Sequence, residues 1–404
     1  MLKIHTSTAA VLGTLGLLTA LGCSGSDSDP QFFSGFVTQA AVVADLDGGG
    51  TPDILTANAV YNNGTSSAGF LTARLQQAAT PGTFLDPLRT DAGRYPLAIA
   101  VGDINGDARP DAVVACYLAT SGTYAVDVHL QSPTTAGTFQ APLRLSVGNR
   151  RPLDVALADV KGEGRLDIVV AASGSNDVLV FFHDTTPGTF LAPLSLAVSG
   201  DPVAVALADL AGSGFMDIAV AMANGKVAVL RQGTTAGTFQ TPVEYVTGWD
   251  PVALKVADLD GDTHPDLLTA NYSNGTGGLS FLRQDPAQPG VFLAAQTFDT
   301  EDYASASLAV GDVNGDGALD VVVANAGLPG YTGSVAVFPQ DPAHPGVLLV
   351  PDLYRGYYGP ISVTIADLKG DGHPALVVAD GDPAIRWPDL ANPGMFLPPV
   401  WLKQ

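Results

Sequence analysis

Short apolar runs alternate with glycine-rich polar turns along most of the chain. In one representative stretch the runs are Val203–Ala208, Ile218–Ala223, Lys226–Arg231 and Phe239–Val246. Asn224-Gly225, between the second and third runs, is a strong hairpin signal. Runs of this length, bounded by Gly, Pro, Asn and Asp, are typical of strands. The pattern predicts a unit of four short antiparallel strands, which we name A to D in chain order.

The unit recurs along the chain with two markers in step. A nine-residue acidic loop follows each strand A, and its first aspartate returns every 49 to 58 residues, at Asp45, Asp103, Asp159, Asp209, Asp258, Asp312 and Asp367. A Gly-x-Phe marker such as Gly237-Thr238-Phe239, or a close variant of it, opens each strand D. Markers that recur at a steady period indicate repeats of one supersecondary unit. The sequence therefore predicts seven such repeats.

The composition favours an all-β arrangement of these repeats. The 46 Gly and 29 Pro leave little room for long helices. Strand A is apolar on both faces, as suits an innermost strand. We therefore predict a seven-bladed β-propeller of four-stranded antiparallel blades. The predicted propeller covers 32–404, with blades at 32–95, 96–151, 152–201, 202–250, 251–304, 305–359 and 360–404.

The charge of the chain is concentrated in the acidic loops. The formal net charge is −22, and half of the 40 acidic residues occupy positions 1, 3, 5 or 9 of these loops. Bound cations would neutralise much of this charge. No basic patch is present to contact phosphates, which argues against a nucleic-acid partner.

The fifth acidic loop has the most complete set of carboxylates. Asp258, Asp260, Asp262 and Asp266 fall at positions 1, 3, 5 and 9, and Gly261 allows the tight turn that brings alternate side chains together. Hard oxygen ligands in this number suit Ca²⁺ better than Zn²⁺ or copper. The loops that begin at Asp103 and Asp312 have nearly the same composition. The sequence predicts calcium at these three loops.

These loops resemble a known repeat. Asp-x-Asn-x-Asp-Gly-x-x-Asp after an apolar strand, with Gly-x-Phe later in the unit, resembles the FG-GAP/VCBS repeats, which form the propeller at the head of integrin α subunits. The resemblance covers residues 32–404. An EF-hand requires Glu at position 12, where this chain has Val114, Thr269 or Val323. The seven copies in register distinguish the pattern from a single matching loop.

The resemblance implies side-chain ligands at positions 1, 3, 5 and 9 and a backbone carbonyl at position 7. The implied ligands are Asp103, Asn105, Asp107, Arg109 and Asp111; Asp258, Asp260, Asp262, His264 and Asp266; and Asp312, Asn314, Asp316, Ala318 and Asp320. We expect about three calcium ions, which brace the turn between strands A and B and catalyse nothing. The first loop, with Asp45, Asp47 and Asp53 but Gly49 at position 5, is an open fourth site.

Three loops lack this ligand set. The fourth has Ala211 and Ser213 at positions 3 and 5 and is expected to bind no metal. The third has Lys161 at position 3, and the seventh has Lys369. We hypothesise that these ammonium groups take the place of a metal and bond the loop aspartates Asp159, Asp167, Asp367 and Asp371.

The N-terminal segment is a targeting signal rather than part of the fold. Lys3 precedes the apolar run Ala9–Gly22, and Ala20-Leu21-Gly22-Cys23 resembles the lipobox of bacterial lipoproteins, although Ala20 replaces the usual leucine. The resemblance implies a signal peptide over 1–23, a lipidated Cys23 and a polar tether over 24–31. We expect an outer-membrane lipoprotein, with the side of the membrane left open; an ordinary secreted precursor is the alternative.

The connections opposite the acidic loops are rich in aromatic residues. In a propeller the B–C and D–A connections share one face, which we name the ligand face; the A–B and C–D connections share the other. The candidate ligand-face residues are Tyr61, Tyr95, Trp249, Asp250, Tyr303, Tyr357 and Tyr358. Tyr and Trp dominate binding centres, although tyrosine also tolerates half-buried loop positions. A protein or glycan ligand is predicted here.

Catalysis has little support in the sequence. The six histidines are scattered, and no nucleophile elbow, zinc-protease motif or phosphate-binding loop is present. The preferred interpretation is a monomeric binding or adhesion module, not an enzyme. The alternative is a carbohydrate-active lyase or hydrolase, for which Asp250 and Asp302 are the acids to examine.

Overall fold

The computed structural model describes residues 35–62, 65–93, 95–118, 123–273, 276–327 and 332–402. The predicted signal peptide with Cys23 and the tether over 24–31 lie outside these residues. The described chain contains strands and no helix, so none of its segments is a helix that could cross a membrane. The strands form seven four-stranded antiparallel sheets, each built from one continuous stretch of chain. The predicted all-β, seven-bladed propeller is confirmed.

The first four blades have the following strands. Blade 1 contains β1 Gly35–Ala44, β2 Asp53–Asn62, β3 Thr65–Arg74 and β4 Leu88–Asp91. Blade 2 contains β5 Pro96–Gly102, β6 Asp111–Leu118, β7 Thr123–His129 and β8 Leu143–Ser146. Blade 3 contains β9 Arg151–Ala158, β10 Asp167–Ser173, β11 Asp177–Phe181 and β12 Leu194–Ala197. Blade 4 contains β13 Pro202–Ala208, β14 Asp217–Met222, β15 Lys226–Leu230 and β16 Val243–Val246.

The last three blades repeat the arrangement. Blade 5 contains β17 Asp250–Ala257, β18 Asp266–Ser273, β19 Thr276–Leu282 and β20 Gln296–Asp299. Blade 6 contains β21 Ser305–Gly311, β22 Asp320–Asn325, β23 Gly333–Phe338 and β24 Asp352–Tyr357. Blade 7 contains β25 Ser362–Ala366, β26 Ala375–Asp380, β27 Asp382–Arg386 and β28 Val400–Trp401.

Strand A of each blade lies innermost, as predicted. Each strand A contacts the strand A of its neighbours, and together the seven enclose an axial channel. Strand B is almost wholly buried, and apolar side chains of adjacent blades form the cores, as where Val113 and Ile168 meet between blades 2 and 3. Burial of apolar area between blades supplies most of the driving force for closing such a ring.

The outermost strand is shorter than the sequence predicts. In blade 4 strand D is Val243–Val246, not Phe239–Val246, and Phe239 forms only an isolated bridge with Gln232. Pro242 follows the marker and cannot donate a ladder hydrogen bond. The same isolated bridge recurs in every blade. The marker therefore forms a single β-bridge with a residue that follows strand C and does not begin strand D.

The ring closes by packing and not by a shared strand. β1 pairs with β2, and β28 pairs with β27, so each terminal blade is complete in itself. Across the junction, the Thr38 amide donates to the Gly381 carbonyl at 2.9 Å. The Thr364 hydroxyl donates to the Ala41 carbonyl at 3.1 Å. The closure, left open by the sequence, therefore packs blade 1 against blade 7, and side chains of both blades form one apolar core.

Candidate metal loops and ligand face

One hydrogen bond shapes all seven acidic loops. The Oδ2 atom of the first aspartate accepts the backbone N–H of position 6 at 2.6 to 2.9 Å in every loop. Positions 4 and 6 have positive φ throughout, and position 4 is always glycine, as Gly261 illustrates (φ +72°). The fourth loop, with Ala211 and Ser213 at positions 3 and 5, makes the same bond, which gives Asp209 a structural role in the turn.

Both carboxylate oxygens of the position-9 aspartates accept hydrogen bonds from backbone amides. In the fifth loop, Oδ2 of Asp266 accepts the Leu259 amide at 3.0 Å, and Oδ1 accepts the Gln284 amide at 2.8 Å. The same pair of bonds recurs at Asp53, Asp111, Asp167, Asp217 and Asp320. Each carboxylate thus ties the acidic loop to the end of strand C. Any contact with a cation would use the remaining lone pairs.

Burial of these carboxylates raises their pKa. The pKa of Asp266 rises to about 7, because loss of hydration outweighs the two amide bonds, and Asp260 and Asp262 add to the rise. Burial likewise raises the pKa of Asp111 and of Asp320 to about 6. Buried carboxylates close to one another favour a compensating positive charge.

Two loops bring three carboxylates together. In the first loop, oxygens of Asp45, Asp47 and Asp53 lie within 4.8 Å of one another, and in the fifth loop those of Asp258, Asp260 and Asp262 do. The Oδ1 atom of Asp45 is buried and has no hydrogen-bond partner among the residues that the structure describes. An unsatisfied buried carboxylate oxygen is costly unless a cation approaches it. These acidic clusters could hold a metal ion, and their oxygen donors suit a hard cation.

The second and sixth loops carry the implied ligands in a similar turn. Oδ1 of Asn105 accepts the Asp107 amide at 2.9 Å, and Oδ1 of Asn314 accepts the Asp316 amide at 2.8 Å. The position-7 amides of Arg109, His264 and Ala318 donate to the position-5 carboxylates at 2.8 to 3.0 Å. The Arg109 guanidinium also forms an ion pair with Asp107. Side chains at positions 3 and 5 are therefore held at the same turn as the first aspartate.

The lysines of the third and seventh loops do not replace a metal. The Nζ atom of Lys161 lies 4.5 Å from the Phe182 ring centroid, and Nζ of Lys369 lies 4.2 Å from that of Trp387. Neither ammonium forms an ion pair with a described loop aspartate, so our hypothesis for these lysines is wrong. An aromatic ring at the end of strand C draws each cation away from the loop. The marker glycine of the next blade, Gly237 or Gly82, covers each pair.

A glutamine that the sequence analysis missed connects loop, marker and neighbouring blade. Gln232 follows strand C; its Nε2 donates to the Val160 carbonyl of blade 3 and the Met216 carbonyl of its own loop, both at 2.7 Å. Its Oε1 accepts the Gly237 amide at 2.7 Å. Gln340 makes the equivalent three bonds in blade 6. The sequence contains a signal for this contact: in five repeats a glutamine lies five or six residues before the marker.

The candidate ligand-face residues differ in accessibility. Tyr303 and Tyr358 are 43% and 73% exposed, and Tyr95, Trp249 and Asp250 are partly buried. Trp249 lies against Gly278, where an added Cβ would come within 2.6 Å of the indole. For Tyr61 only the backbone, at the end of β2, belongs to the described structure. These residues occupy the ends of blades opposite the acidic loops.

Tyr357 is not a ligand-contacting residue. It is fully buried between blades 6 and 7 and belongs to their shared core. Its hydroxyl accepts a 2.6 Å hydrogen bond from Arg386 Nε, and the guanidinium lies 5.0 Å from the ring. Gly333 faces Tyr357 and Ser334 faces Arg355, so Gly356 is the extra residue of a bulge in β24 next to Tyr357. The prediction for Tyr357 is therefore wrong.

Three tyrosines cluster at the crevice between blades 2 and 3. The ring centroids of Tyr95 and Tyr117 are 6.0 Å apart, and those of Tyr117 and Tyr124 are 4.9 Å apart. Arg151 lies close enough to oppose the rise in the Tyr124 pKa that burial causes. Within the described chain, Nε and Nη2 of Arg151 are buried and have no hydrogen-bond partner. Arg151, which forms no ion pair with a described carboxylate, thus lies beside an aromatic cluster.

The two acids set aside for possible catalysis have different surroundings. Asp302 pairs with Arg355 Nη1 at 3.1 Å and accepts the Tyr303 amide at 2.8 Å. Burial raises the pKa of Asp250. A salt-bridged carboxylate with a backbone bond is suited to fixing the connection between blades 5 and 6.

Comparison with known proteins identifies the repeats. The FG-GAP-like repeat family matches residues 159–220, 210–269 and 258–323, each stretch running from one acidic loop to strand B of the next blade. Comparison with curated proteins gives no match.

Solved structures are similar in fold. A putative 6-phosphogluconolactonase from Bacteroides uniformis has a TM-score of 0.62 at 13% identity, over 84% of this chain and 94% of that one. A second from Bacteroides fragilis has 0.58 at 14%, over 93% and 98%. The structure of BBS1N in complex with ARL6DN has 0.56 at 14%, over 90% and 96%. At these identities the similarity concerns the fold alone. Residues 159–323 thus match the FG-GAP-like repeat family and lie within a seven-bladed β-propeller.

Proposed function

We propose that this chain is an exported, lipid-anchored binding propeller that is braced by calcium and recognises a protein or glycan through its ligand face. The observation that carries the binding role is the cluster of Tyr95, Tyr117 and Tyr124 beside Arg151, whose Nε and Nη2 have no hydrogen-bond partner among the described residues. Aromatic rings and arginine form the centres of most binding surfaces. A half-buried guanidinium without a carboxylate favours a ligand that carries an acidic group.

Calcium is proposed for the acidic loops because their donor sets fit it. The clustered carboxylates of the first and fifth loops, and the buried unpartnered oxygen of Asp45, support a hard cation there. The bound ion would neutralise the clustered charge and tighten the turn between strands A and B. Metal analysis of the purified chain should find about three to four equivalents of calcium. No bound calcium, or seven equivalents, would contradict the assignment.

The ligand is tested on a glycan array with the full chain. Wild type is compared with Arg151→Gln, with Tyr358→Ala and with His344→Ala, an exposed residue on the opposite face. Binding to acidic glycans that Arg151→Gln abolishes and His344→Ala preserves would support the proposal. Binding that chelation removes but both ligand-face variants retain would move the site to the acidic loops. If the array is blank, acidic peptides are tested in the same way, and their failure overturns the acidic-ligand proposal.

The anchor is tested separately. Cys23→Ala should move the protein from the membrane fraction to the soluble fraction without changing calcium content. If the protein remains membrane-bound, the lipoprotein assignment fails while the propeller's binding role is unaffected. The enzyme alternative, a carbohydrate-active lyase or hydrolase, has weaker support, because Asp302 is already paired with Arg355.

A further inference from the structure

The axial channel is a cavity with an uneven distribution of polar groups. It has a volume of about 230 Å³ and is lined by strand A of all seven blades. Most of its lining consists of small or apolar residues such as Ala98, Ala204 and Val252. Among the lining residues only Asp154 and Lys255 are charged. Most positions of the channel therefore exclude charge, and two do not.

Besides the hydroxyl residues Ser307, Ser362 and Thr364, three longer polar side chains line the channel, and they come from alternate blades. Gln39 belongs to blade 1, Asp154 to blade 3 and Lys255 to blade 5. Gln39, Asp154 and Lys255 lie six, five and three residues before the first aspartate of the acidic loop in their own blade. They therefore fall on neighbouring levels of the channel. Gln39 is the extra residue of a β-bulge in strand A, which re-aims its side chain. A molecule on the axis would face all three.

These groups have unused hydrogen-bonding capacity. Gln39 is 7% exposed, and its Nε2 has no partner within the described chain. No described carboxylate lies within ion-pair distance of the Lys255 ammonium. Each oxygen of Asp154 accepts one backbone amide, from Val155 at 2.9 Å and from Val205 at 3.0 Å, and keeps further lone pairs. Gln39 is buried, Asp154 is partly buried and Lys255 is exposed to the channel, so the cost of an unsatisfied buried group falls on the Gln39 amide alone.

The propeller fold does not require a charged side chain at the positions of Asp154 and Lys255. In blade 6 the residue equivalent to Asp154 is Ser307, whose hydroxyl accepts the Val363 amide of the next blade and makes the same inter-blade link. In blade 7 the residue equivalent to Lys255 is Thr364, which donates to the Ala41 carbonyl. A neutral serine or threonine therefore suffices at either level. The carboxylate and the ammonium exceed what the structure needs.

We propose that the axial channel binds a small zwitterion of the α-amino acid class. Asp154 would bind its ammonium, Lys255 its carboxylate, and the Gln39 amide a further oxygen acceptor. The volume lies below the range of roughly 300 to 1,000 Å³ typical of pockets for drug-sized ligands. The channel therefore suits a single small molecule better than an oligosaccharide, and the site is distinct from the tyrosine cluster between blades 2 and 3. The inference depends neither on calcium nor on the proposed function.

The test introduces residues that the chain already has at the equivalent positions of other blades. Each proteinogenic L-amino acid is titrated into the full chain by calorimetry, against wild type, Asp154→Ser and Lys255→Thr. These variants install the residues that blades 6 and 7 have at the same levels, so the fold should be preserved. Lys226→Thr, which removes a surface lysine paired with Glu244 outside the channel, is the charge-matched control.

We expect at least one amino acid to bind wild type and Lys226→Thr equally. Asp154→Ser and Lys255→Thr should each weaken binding at least about tenfold, because each removes a charged hydrogen-bond partner. Unchanged melting temperatures would separate this loss from unfolding. The proposal is overturned if no amino acid binds wild type, or if both channel variants bind as wild type does. Binding of the matching α-hydroxy acid with equal affinity would also overturn it, because the ammonium would then be dispensable.

Discussion

The Arg283 guanidinium forms an ion pair with Asp260, the third-position aspartate of the fifth acidic loop. The Nε–Oδ2 distance is 2.7 Å, and the Asp260 side chain is only 1% exposed. Blades 1 and 2 have Leu75 and Leu130 at the position of Arg283. The fifth loop therefore has the fullest carboxylate set but shares one of its oxygens with a protein cation.

Arg283→Leu should strengthen calcium binding at the fifth loop. Removal of a neighbouring positive charge near the surface is worth roughly 1 kcal/mol, which corresponds to an affinity about three- to tenfold higher. Calcium titration by calorimetry checks this. The matched control is Arg231→Leu in blade 4, whose loop lacks the ligands at positions 3 and 5. A fall in affinity for Arg283→Leu alone would mean that the arginine orients Asp260 for the metal.

Thr263→Gly should stabilise the protein. Thr263 occupies position 6 of the fifth loop with φ +73°, a conformation unfavourable for a β-branched residue. Five of the seven loops have glycine at this position. Relief of the strain should raise the free energy of unfolding by about 1 kcal/mol, measured by urea denaturation. Thr186→Gly, in an exposed turn without positive φ, should lower it, and equal effects of the two changes would refute the strain argument.

Gln232→Ala should destabilise the contact between blades 3 and 4. Gln232 is 5% exposed, and its loss leaves two carbonyls and one amide without partners. The expected loss is about 2 to 4 kcal/mol, because each unsatisfied buried group costs about 1 to 3 kcal/mol and water replaces some of the bonds. Gln240→Ala removes an exposed glutamine from the same segment and should change the unfolding midpoint little. Similar midpoints for both variants would show that the buried glutamine contributes nothing.

The repeat was predictable because its signals are local. The apolar run, the first aspartate and the glycine at position 4 act within one turn, so the register of all seven blades follows from sequence spacing. The position of the Lys161 ammonium was not predictable, because Phe182 approaches it only when strand C returns beside the loop. Tyr357 was misassigned for a different reason: its partner Arg386 comes from the next blade. Contacts between blades join side chains that are about thirty or more residues apart. The spacing of residues within one repeat does not predict such contacts.

The buried His129 predicts a pH dependence of stability. It lies at the end of β7 with 0% exposure, and neither ring nitrogen has a hydrogen-bond partner in the described structure. Burial lowers its pKa, an effect that the nearby Asp127 and the Gln140 backbone only partly oppose. Below about pH 6.5 the unfolded chain binds a proton at this histidine and the folded chain does not. The contribution of His129 to the free energy of unfolding therefore falls as the pH decreases through that value.

His129→Leu should remove this penalty. Leu230 and Leu282 occupy the equivalent position in blades 4 and 5 and are buried there, so leucine suits the site. We expect the variant to be more stable than wild type at pH 8, because two unsatisfied nitrogens are gone, and the gain to be larger at pH 5. Urea denaturation at both values measures the two gains, and the other histidines cancel in the comparison. A gain that shrinks as the pH falls would mean that His129 is protonated in the folded state and stabilised by Asp127, the reverse of the direction that its burial implies.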